Sequence, residues 1–294
     1  MLEELRPRAF AIAYRMLGSV TEAEDVVQEG MLRLHREVTD PDEPELEAPQ
    51  AWLSTVVSRL ALDELRSARA RREVYVGEWL PEPIVGAAGA GVDDPATEAE
   101  TADSLSLAFL VLLESLTPEQ RAAFLLHDVF DYKFDEVADI VGTSAANARQ
   151  LASRARREVE ARRPRFESST EQRERLADEF FAAIGGGEIA GLEHLLAEDV
   201  ELHGDGGGKA PALARAISGR ARAARTLRNW AKAGAKWGSL EIERVDVNGQ
   251  PGAILTIDDA VVSVMSLDIV DGQISTIRGI VNPEKLAHVH VGRE

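Results

Sequence analysis

Apolar positions in the first seventy residues recur at helical spacing. Phe10, Ala13, Tyr14 and Leu17 fall at i, i+3, i+4 and i+7, one face of a helix, and Gly18 marks its end. Thr21 and Glu24 have the form of a capping box. It would open a second helix with Val27, Met31 and Leu34 on its apolar side. The acidic stretch Thr39–Pro49 holds three prolines and reads as a loop. Pro49 suits the first turn of a third helix, with Leu53, Val56, Val57 and Leu60 facing inward.

The periodicity stops over residues 73–103. Here WLPEPIV is rigid and apolar, GAAGAG flexible, and DDPATEAE acidic. Trp79, Ile84 and Val85 are more than a spacer needs, so part of this linker is expected to dock. Helical spacing returns over 104–163. Thr117-Pro118-Glu119-Gln120 is a capping box with proline at the first helical position. Phe134–Val141 is a short helix closed by Gly142, and Thr143 or Ser144 caps a long helix running towards Arg163. A short helix, a glycine turn and a longer helix form a helix-turn-helix pattern.

From residue 170 the pattern mixes periods. Helices are expected near 171–185 and 188–197, then a glycine-rich loop, HGDGGGK at 203–209, then a helix near 219–233. Strands are expected near 239–247, 252–258, 260–270 and 273–281, with hairpin turns at Asn248-Gly249 and Asp271-Gly272. The expected fold is therefore multidomain. All-α domains at 1–72 and 104–165 are joined by the acidic linker 73–103, and 170–294 forms an α+β domain with a curved antiparallel sheet.

Composition narrows the function. Among 294 residues there is no cysteine, which removes disulfides, thiolate nucleophiles and cysteine-based metal sites. His288 and His290 read better as a solvated strand end than as ligands, so neither metal nor cofactor is expected. No run of about 18 apolar residues occurs, and MLEELRPRAF lacks the features of a secretion signal. A cytoplasmic protein without membrane contact is expected. The net charge of −18 hides two basic clusters. Residues 149–165 hold seven arginines and residues 59–72 hold five, while 73–100 carry seven acids and no Lys or Arg. Screening confines each field to about 8 Å in physiological salt, so an acidic chain can still bind DNA locally.

A recognition helix needs planar or short polar side chains near its start and cations beyond them. Asn147, Arg149, Gln150, Ser153 and Arg154 fit the first need; Arg156, Arg157, Arg162 and Arg163 fit the second. The stretches GSVTEAEDVVQEGMLRLHR and APQAWLSTVVSRLALDELRSARARR resemble region 2 of the extracytoplasmic-function (ECF) sigma factors. LTPEQRAAFLLHDVFDYKFDEVADIVGTSAANARQLASRARREVE resembles their region 4. The resemblance covers about residues 1–165. It implies that Glu24, Asp25, Gln28 and Glu29 dock on the clamp coiled coil of the largest subunit of the RNA polymerase core. It implies that Trp52, Arg59, Asp63, Arg66 and Arg69 open and read the −10 element of promoter DNA. Ser144 sits at the start of the helix whose Asn147, Arg149, Gln150, Ser153 and Arg154 would read the −35 element.

The remaining 125 or so residues resemble a SnoaL-like cone domain. Together WLPEP, DGGGK (Asp205, Gly206, Gly207, Gly208, Lys209) and NPEKL (Asn282, Pro283, Glu284, Lys285, Leu286) resemble the SigJ-like subgroup. That subgroup implies a domain tuning sigma activity in cis, and the two loops are expected to be its contact points. An isomerase on such a fold needs a carboxylate base and an oxyanion donor. Asp199, Asp205 and His203 are candidate bases, but no tyrosine lies beyond residue 170, so no enzyme is expected. A small-molecule ligand of this domain stays open. The competing reading is a DNA-binding regulator fused to a SnoaL-like enzyme or ligand sensor.

Overall fold

A computed structural model describes residues 2–40, 46–86, 104–162, 169–186, 189–234 and 236–291. The acidic DDPATEAE segment, Arg163 and Arg165 lie outside these residues. The described chain forms two compact units: 1–74 with 110–163, and 75–109 with 164–294.

The first unit is helical. α1 (Arg6–Leu17) ends where Gly18, at φ 66°, turns left-handed and donates its N–H to the Tyr14 carbonyl. α2 spans Val20–Thr39, and its cap is Ser19 rather than Thr21: the Ser19 hydroxyl accepts from the Glu22 N–H. The turn at Gly18 leaves Ser19 extended, at φ −123° and ψ 126°, the conformation an N-cap requires. α3 (Pro49–Glu73) follows with proline in its first turn. α2 and α3 approach closely at Gly30, where a Cβ would sit 2.7 Å from Val57 Cγ2.

α4 spans Leu107–Leu113. α5 (Pro118–Phe124) begins with the expected Thr117–Gln120 capping box and widens into a π turn over Leu125–Val129. α6 (Phe134–Val141) is closed by Gly142 at φ 77°. Ser144 accepts from the Asn147 N–H at 3.2 Å and so caps α7 (Ala145–Arg162). Ala148, Ala152, Ala155 and Val159 are the buried stripe of α7. Small side chains at that spacing let α7 lie close upon α5 and α6.

In this unit the segments 1–74 and 110–162 pack against each other. The Arg121 guanidinium of α5 is almost wholly buried and donates to the Arg15 carbonyl of α1 at 3.1 and 2.9 Å. Glu114 pairs with both Arg121 and Arg72. The sequence reading treats 1–72 and 104–165 as separate modules because a linker interrupts them. Long-range ion pairs between them carry no periodic signature.

The second unit is α+β. α8 (Thr170–Gly185) and α9 (Arg220–Gly234) cover one face of a sheet ordered β2-β1-β6-β5-β4-β3. Its strands are β1 (Leu196–Asp205), β2 (Ile217–Ser218), β3 (Leu240–Val247), β4 (Gln250–Ile257), β5 (Ala260–Val270) and β6 (Gln273–Ile280). All pairs are antiparallel except β1 with β6, which run parallel. β1 replaces the end of the helix expected near 188–197; only a short 3-10 turn forms at Ile189–His194. Val200 and Leu202 alternate with polar neighbours and face the core, a period-2 pattern that the adjoining helix-forming residues mask. Phe180, Phe181, Leu227, Met265, Leu267 and Ile277 belong to this core. β6 leads into a short helix, α10 (Pro283–Leu286), capped by Asn282.

Candidate nucleic-acid interface and linker latch

α7 buries Ala148, Ala152, Ala155 and Val159 and leaves a polar face to solvent. Ser144, Asn147, Arg149, Gln150, Ser153 and Arg154 are all exposed while Ala148 and Ala152 are buried. The Arg149 guanidinium lies 5.2 Å from the centre of the Phe134 ring, and Asn147 donates to the Thr143 hydroxyl at 2.8 Å. Arg156 pairs with Asp128 at the end of the π turn.

The cations of α3 are placed differently. Arg59 donates to the Asp139 carbonyl at 3.5 Å, Arg66 to Glu119 at 3.1 Å, and Arg69 to the Leu116 carbonyl at 3.3 Å. All three partners belong to the segment that carries the helix-turn-helix. Arg66 also pairs with Asp63 at 3.0 Å, and Trp52 is half-buried. On α2, Asp25 and Gln28 are exposed. Glu24 pairs with Arg6, and Glu29 with Arg33 at 2.7 Å. Asp25 and Glu29 share an acidic recess with Glu22, Asp63 and Glu64 between α2 and α3.

In the second unit the linker segment 75–86 is bound as a strap. Asp205, fully buried at the end of β1, is its anchor. The Asp205 carboxylate accepts from the Tyr75 hydroxyl at 2.6 Å and the Leu80 N–H at 2.8 Å. It also pairs with Lys285 at 2.7 Å. Lys285 in turn donates to the Leu80 carbonyl and lies 4.3 Å from the centre of the Trp79 ring. Asn282 donates to the Tyr75 oxygen at 2.9 Å. Burial, and then the hydrogen bond to Asp205, raise the Tyr75 phenol above its ordinary range. Further along, Ile84 N–H donates to Asn248 Oδ1 at 2.9 Å, and Asn248 N–H returns a bond to the Ile84 carbonyl at 2.9 Å. His288 contacts the Pro83 carbonyl at 2.8 Å, so it is a strap contact and not a solvated strand end.

The two loops singled out in the sequence thus meet, with distinct parts. Asp205, Asn282 and Lys285 hold the strap. Gly207, at φ 59°, admits it: a Cβ there would lie 2.4 Å from Asn282 Nδ2 and 2.8 Å from the Tyr75 hydroxyl. Gly208, also left-handed, faces Val76, and Gly206 is crowded by Ala210. Lys209 and Glu284 pair at the surface, which contributes little. Pro283 opens α10 and Leu286 is buried. Sequence reasoning missed Tyr75, Glu78, Asn248 and His288 as strap contacts; Asn248 was legible only as a turn residue.

His203 adds a titratable clasp. Its Nδ1 lies 2.6 Å from Glu78 Oε1 on the strap and its Nε2 3.2 Å from Glu201. Burial works against the charged imidazole and Arg278 does the same more weakly. The hydrogen bonds and charge of Glu78, helped by Glu201, prevail and raise its pKa. A raised folded pKa gives stabilisation that is complete below the unfolded value near 6.5 and is lost as pH rises through the folded value. The strap should therefore resist proteolysis best in mildly acidic solution and open more readily on the alkaline side. A His203→Gln variant should show no such slope between those limits; a slope that persists would sink the assignment.

Of the candidate bases, Asp205 and His203 are engaged with the strap, and Asp199 is exposed. Among the described residues no cluster of three or more acids and histidines could hold a metal ion. No helix among them is long and apolar enough to cross a membrane.

Comparison with known proteins agrees with this arrangement. Residues 1–71 match the model of Sigma-70 region 2, and residues 106–159 match that of Sigma-70, region 4. The chain is 38% identical to the ECF RNA polymerase sigma factor SigJ of Mycobacterium tuberculosis, over 96% of this chain and 91% of that one. It is 32% identical to the probable ECF RNA polymerase sigma factor SigI of the same species, over 94% and 90%. The crystal structure of M. tuberculosis SigJ superposes with a TM-score of 0.74 at 36% identity, covering 97% of this chain and 96% of that one. Two helical sigma regions in their family order, followed by an α+β domain found whole in a solved relative, place this chain among the ECF RNA polymerase sigma factors, the subunits with which RNA polymerase begins transcription.

Proposed function

We propose that the chain binds core polymerase through Glu24, Asp25, Gln28 and Glu29 of α2, against the clamp coiled coil of the largest subunit. α3 opens the −10 element with Trp52, Arg59, Asp63, Arg66 and Arg69. α7 reads the −35 major groove with Ser144, Asn147, Arg149, Gln150, Ser153 and Arg154. The observation that carries this reading is the continuous exposed polar face of α7 beside its buried alanine stripe. Arginine reads guanine, and Asn or Gln reads adenine, through paired hydrogen bonds.

The C-terminal domain acts in cis by latching the strap. Val74–Ser106 joins α3 to α4, and fully extended it would reach roughly 100 Å at about 3.3 Å per residue. Fixing 75–86 on Asp205, Asn248 and Lys285 shortens that reach and restricts how far the two DNA-reading helices can part. The ties of Arg59, Arg66 and Arg69 to the 110–162 segment hold the same cations that the −10 strand would need. Promoter engagement thus requires both sets of contacts to yield.

The test is co-purification with core polymerase, followed by run-off transcription from the promoters it selects. Failure to bind core polymerase would end the sigma reading. Unchanged transcription by a strap-released Asp205→Asn variant would end the latch. At the promoter, Arg149→Ala should weaken specific binding by about 1–3 kcal/mol and relax preference at one position. Arg162→Ala should weaken all sequences alike and flatten the salt dependence. Titrations of both variants against matched and scrambled −35 duplexes, at two salt concentrations, separate the roles.

A further inference from the structure

The C-terminal domain holds a cavity of about 410 Å³ between α9, the 210–212 segment and the sheet, within the usual range of small-molecule sites. Leu227 and Trp230 of α9, Trp237 after it, Leu255 of β4, and Val262 and Met265 of β5 line it. Among the described lining residues there is no acid, base, imidazole or phenol; Ser263 and the two indole N–H groups are the only polar side-chain atoms. Trp237 is 65% exposed and Trp230 39%, so two large apolar rings meet solvent at its rim. A polypeptide segment would bring an amide at every residue with almost nothing to satisfy it, and an ion would be desolvated without a partner. The surface therefore fits a compact, uncharged, mostly apolar molecule with flat rings, and it offers no group to transform one.

The walls of this cavity are also the holders of the strap. Ala210, Pro211 and Ala212 line it directly after the Asp205–Lys209 loop, and Pro283 and Leu286 line it from α10, flanking Lys285. Gly206 is packed so tightly that a Cβ there would lie 2.3 Å from the Ala210 carbonyl oxygen and 2.8 Å from Ala212 Cβ. Displacement of the 210–212 wall is thus transmitted to the loop that carries Asp205. We propose that the cavity binds a neutral, ring-bearing apolar small molecule, and that occupancy changes the hold of Asp205 and Lys285 on the strap. This rests on the reading of the strap as a latch and supplies its effector.

The test uses the full chain without polymerase. N-phenyl-naphthylamine, which is uncharged, is titrated in parallel with anilinonaphthalene sulfonate, which has the same rings and an anionic group. The neutral dye should bind one-to-one and about tenfold or more tightly than the sulfonate. Trp237→Ala, an exposed rim change that leaves the core intact, should weaken it severalfold, and Ala231→Trp, which fills the cavity, should abolish it. Because coupling is reciprocal, saturating neutral dye should alter hydrogen exchange at the Leu80 and Ile84 amides by about fivefold or more. No saturable binding, equal affinity for both dyes, indifference to Trp237→Ala, or unchanged exchange at Leu80 and Ile84 would each overturn the proposal. None of these readouts involves transcription. A failure here is therefore distinct from a failure of the latch, which the Asp205→Asn transcription assay reports.

Discussion

Glu114→Gln should destabilise the helical unit by about 3–5 kcal/mol, the usual cost of leaving a buried charge unpaired. The Arg121 side chain is 2% exposed and Glu114 is its acidic partner there; its remaining bonds go to the Arg15 carbonyl. Burial alone would raise the Glu114 carboxyl, but Arg121 and Arg72 outweigh it and hold its pKa below 4.5. A depressed folded pKa contributes stability that is present above the unfolded value and lost as pH falls through the folded one. Wild type should therefore loosen in acid where Glu114→Gln does not. Native-state hydrogen exchange of α1 and α5 amides reports on this unit alone. The double change Glu114→Leu with Arg121→Met should recover much of the loss, since an apolar pair of similar volume replaces a buried ion pair at little cost. If Glu114→Gln leaves those amides as protected as before, the triad is not what joins α1, α3 and α5. The same variant should bind core polymerase faster, because Arg72 at the end of α3 loses one tie to the 110–162 segment.

The helices and hairpins were legible because their signals are local. Gly18, Thr117-Pro118, Gly142 and the Asn248-Gly249 turn each fix a backbone conformation within a few residues. The exposed face of α7 follows from Ala148, Ala152, Ala155 and Val159 at helical spacing. What escaped is what depends on distant partners. β1 resisted reading because Val200, Leu202 and Gly204 alternate inside a stretch rich in helix formers, and its pairing with β6 is decided at distant partners such as Ile277, which lies opposite Leu202. Ser19 displaced Thr21 as the α2 cap because the turn at Gly18 selects the conformation, and either side chain has the chemistry. The apolar surplus of Trp79, Ile84 and Val85 did announce that the linker docks. It could not say where, since Asp205 and Lys285 look in sequence like an ordinary loop acid and an ordinary surface lysine.

Asp205→Asn should release the strap, with local stability falling by about 3–5 kcal/mol. Asp205 is fully buried and satisfies three groups at once: the Tyr75 hydroxyl, the Leu80 N–H and the Lys285 ammonium. An amide in its place turns one acceptor into a donor and strips Lys285, itself 7% exposed at the side chain, of its counter-charge. Lys285→Met should cost less, because the carboxylate keeps two neutral donors and the methylene stem still packs near Trp79. The two changes share one ion pair, so their combined effect should fall short of the sum by about 1 kcal/mol or more. Limited proteolysis between Tyr75 and Gly86 measures the release, and hydrogen exchange at the Leu80 amide measures it residue by residue. Tyr75→Phe supplies a control of different chemistry. It removes one donor to Asp205 and one acceptor for Asn282 but leaves the buried charges paired, so its effect should stay near 1 kcal/mol. Equal losses in Tyr75→Phe and Asp205→Asn would mean that the phenol, and not the buried ion pair, fastens the linker. An Asp205→Asn strap as resistant to protease as wild type would mean that the hairpin contacts at Asn248 suffice alone.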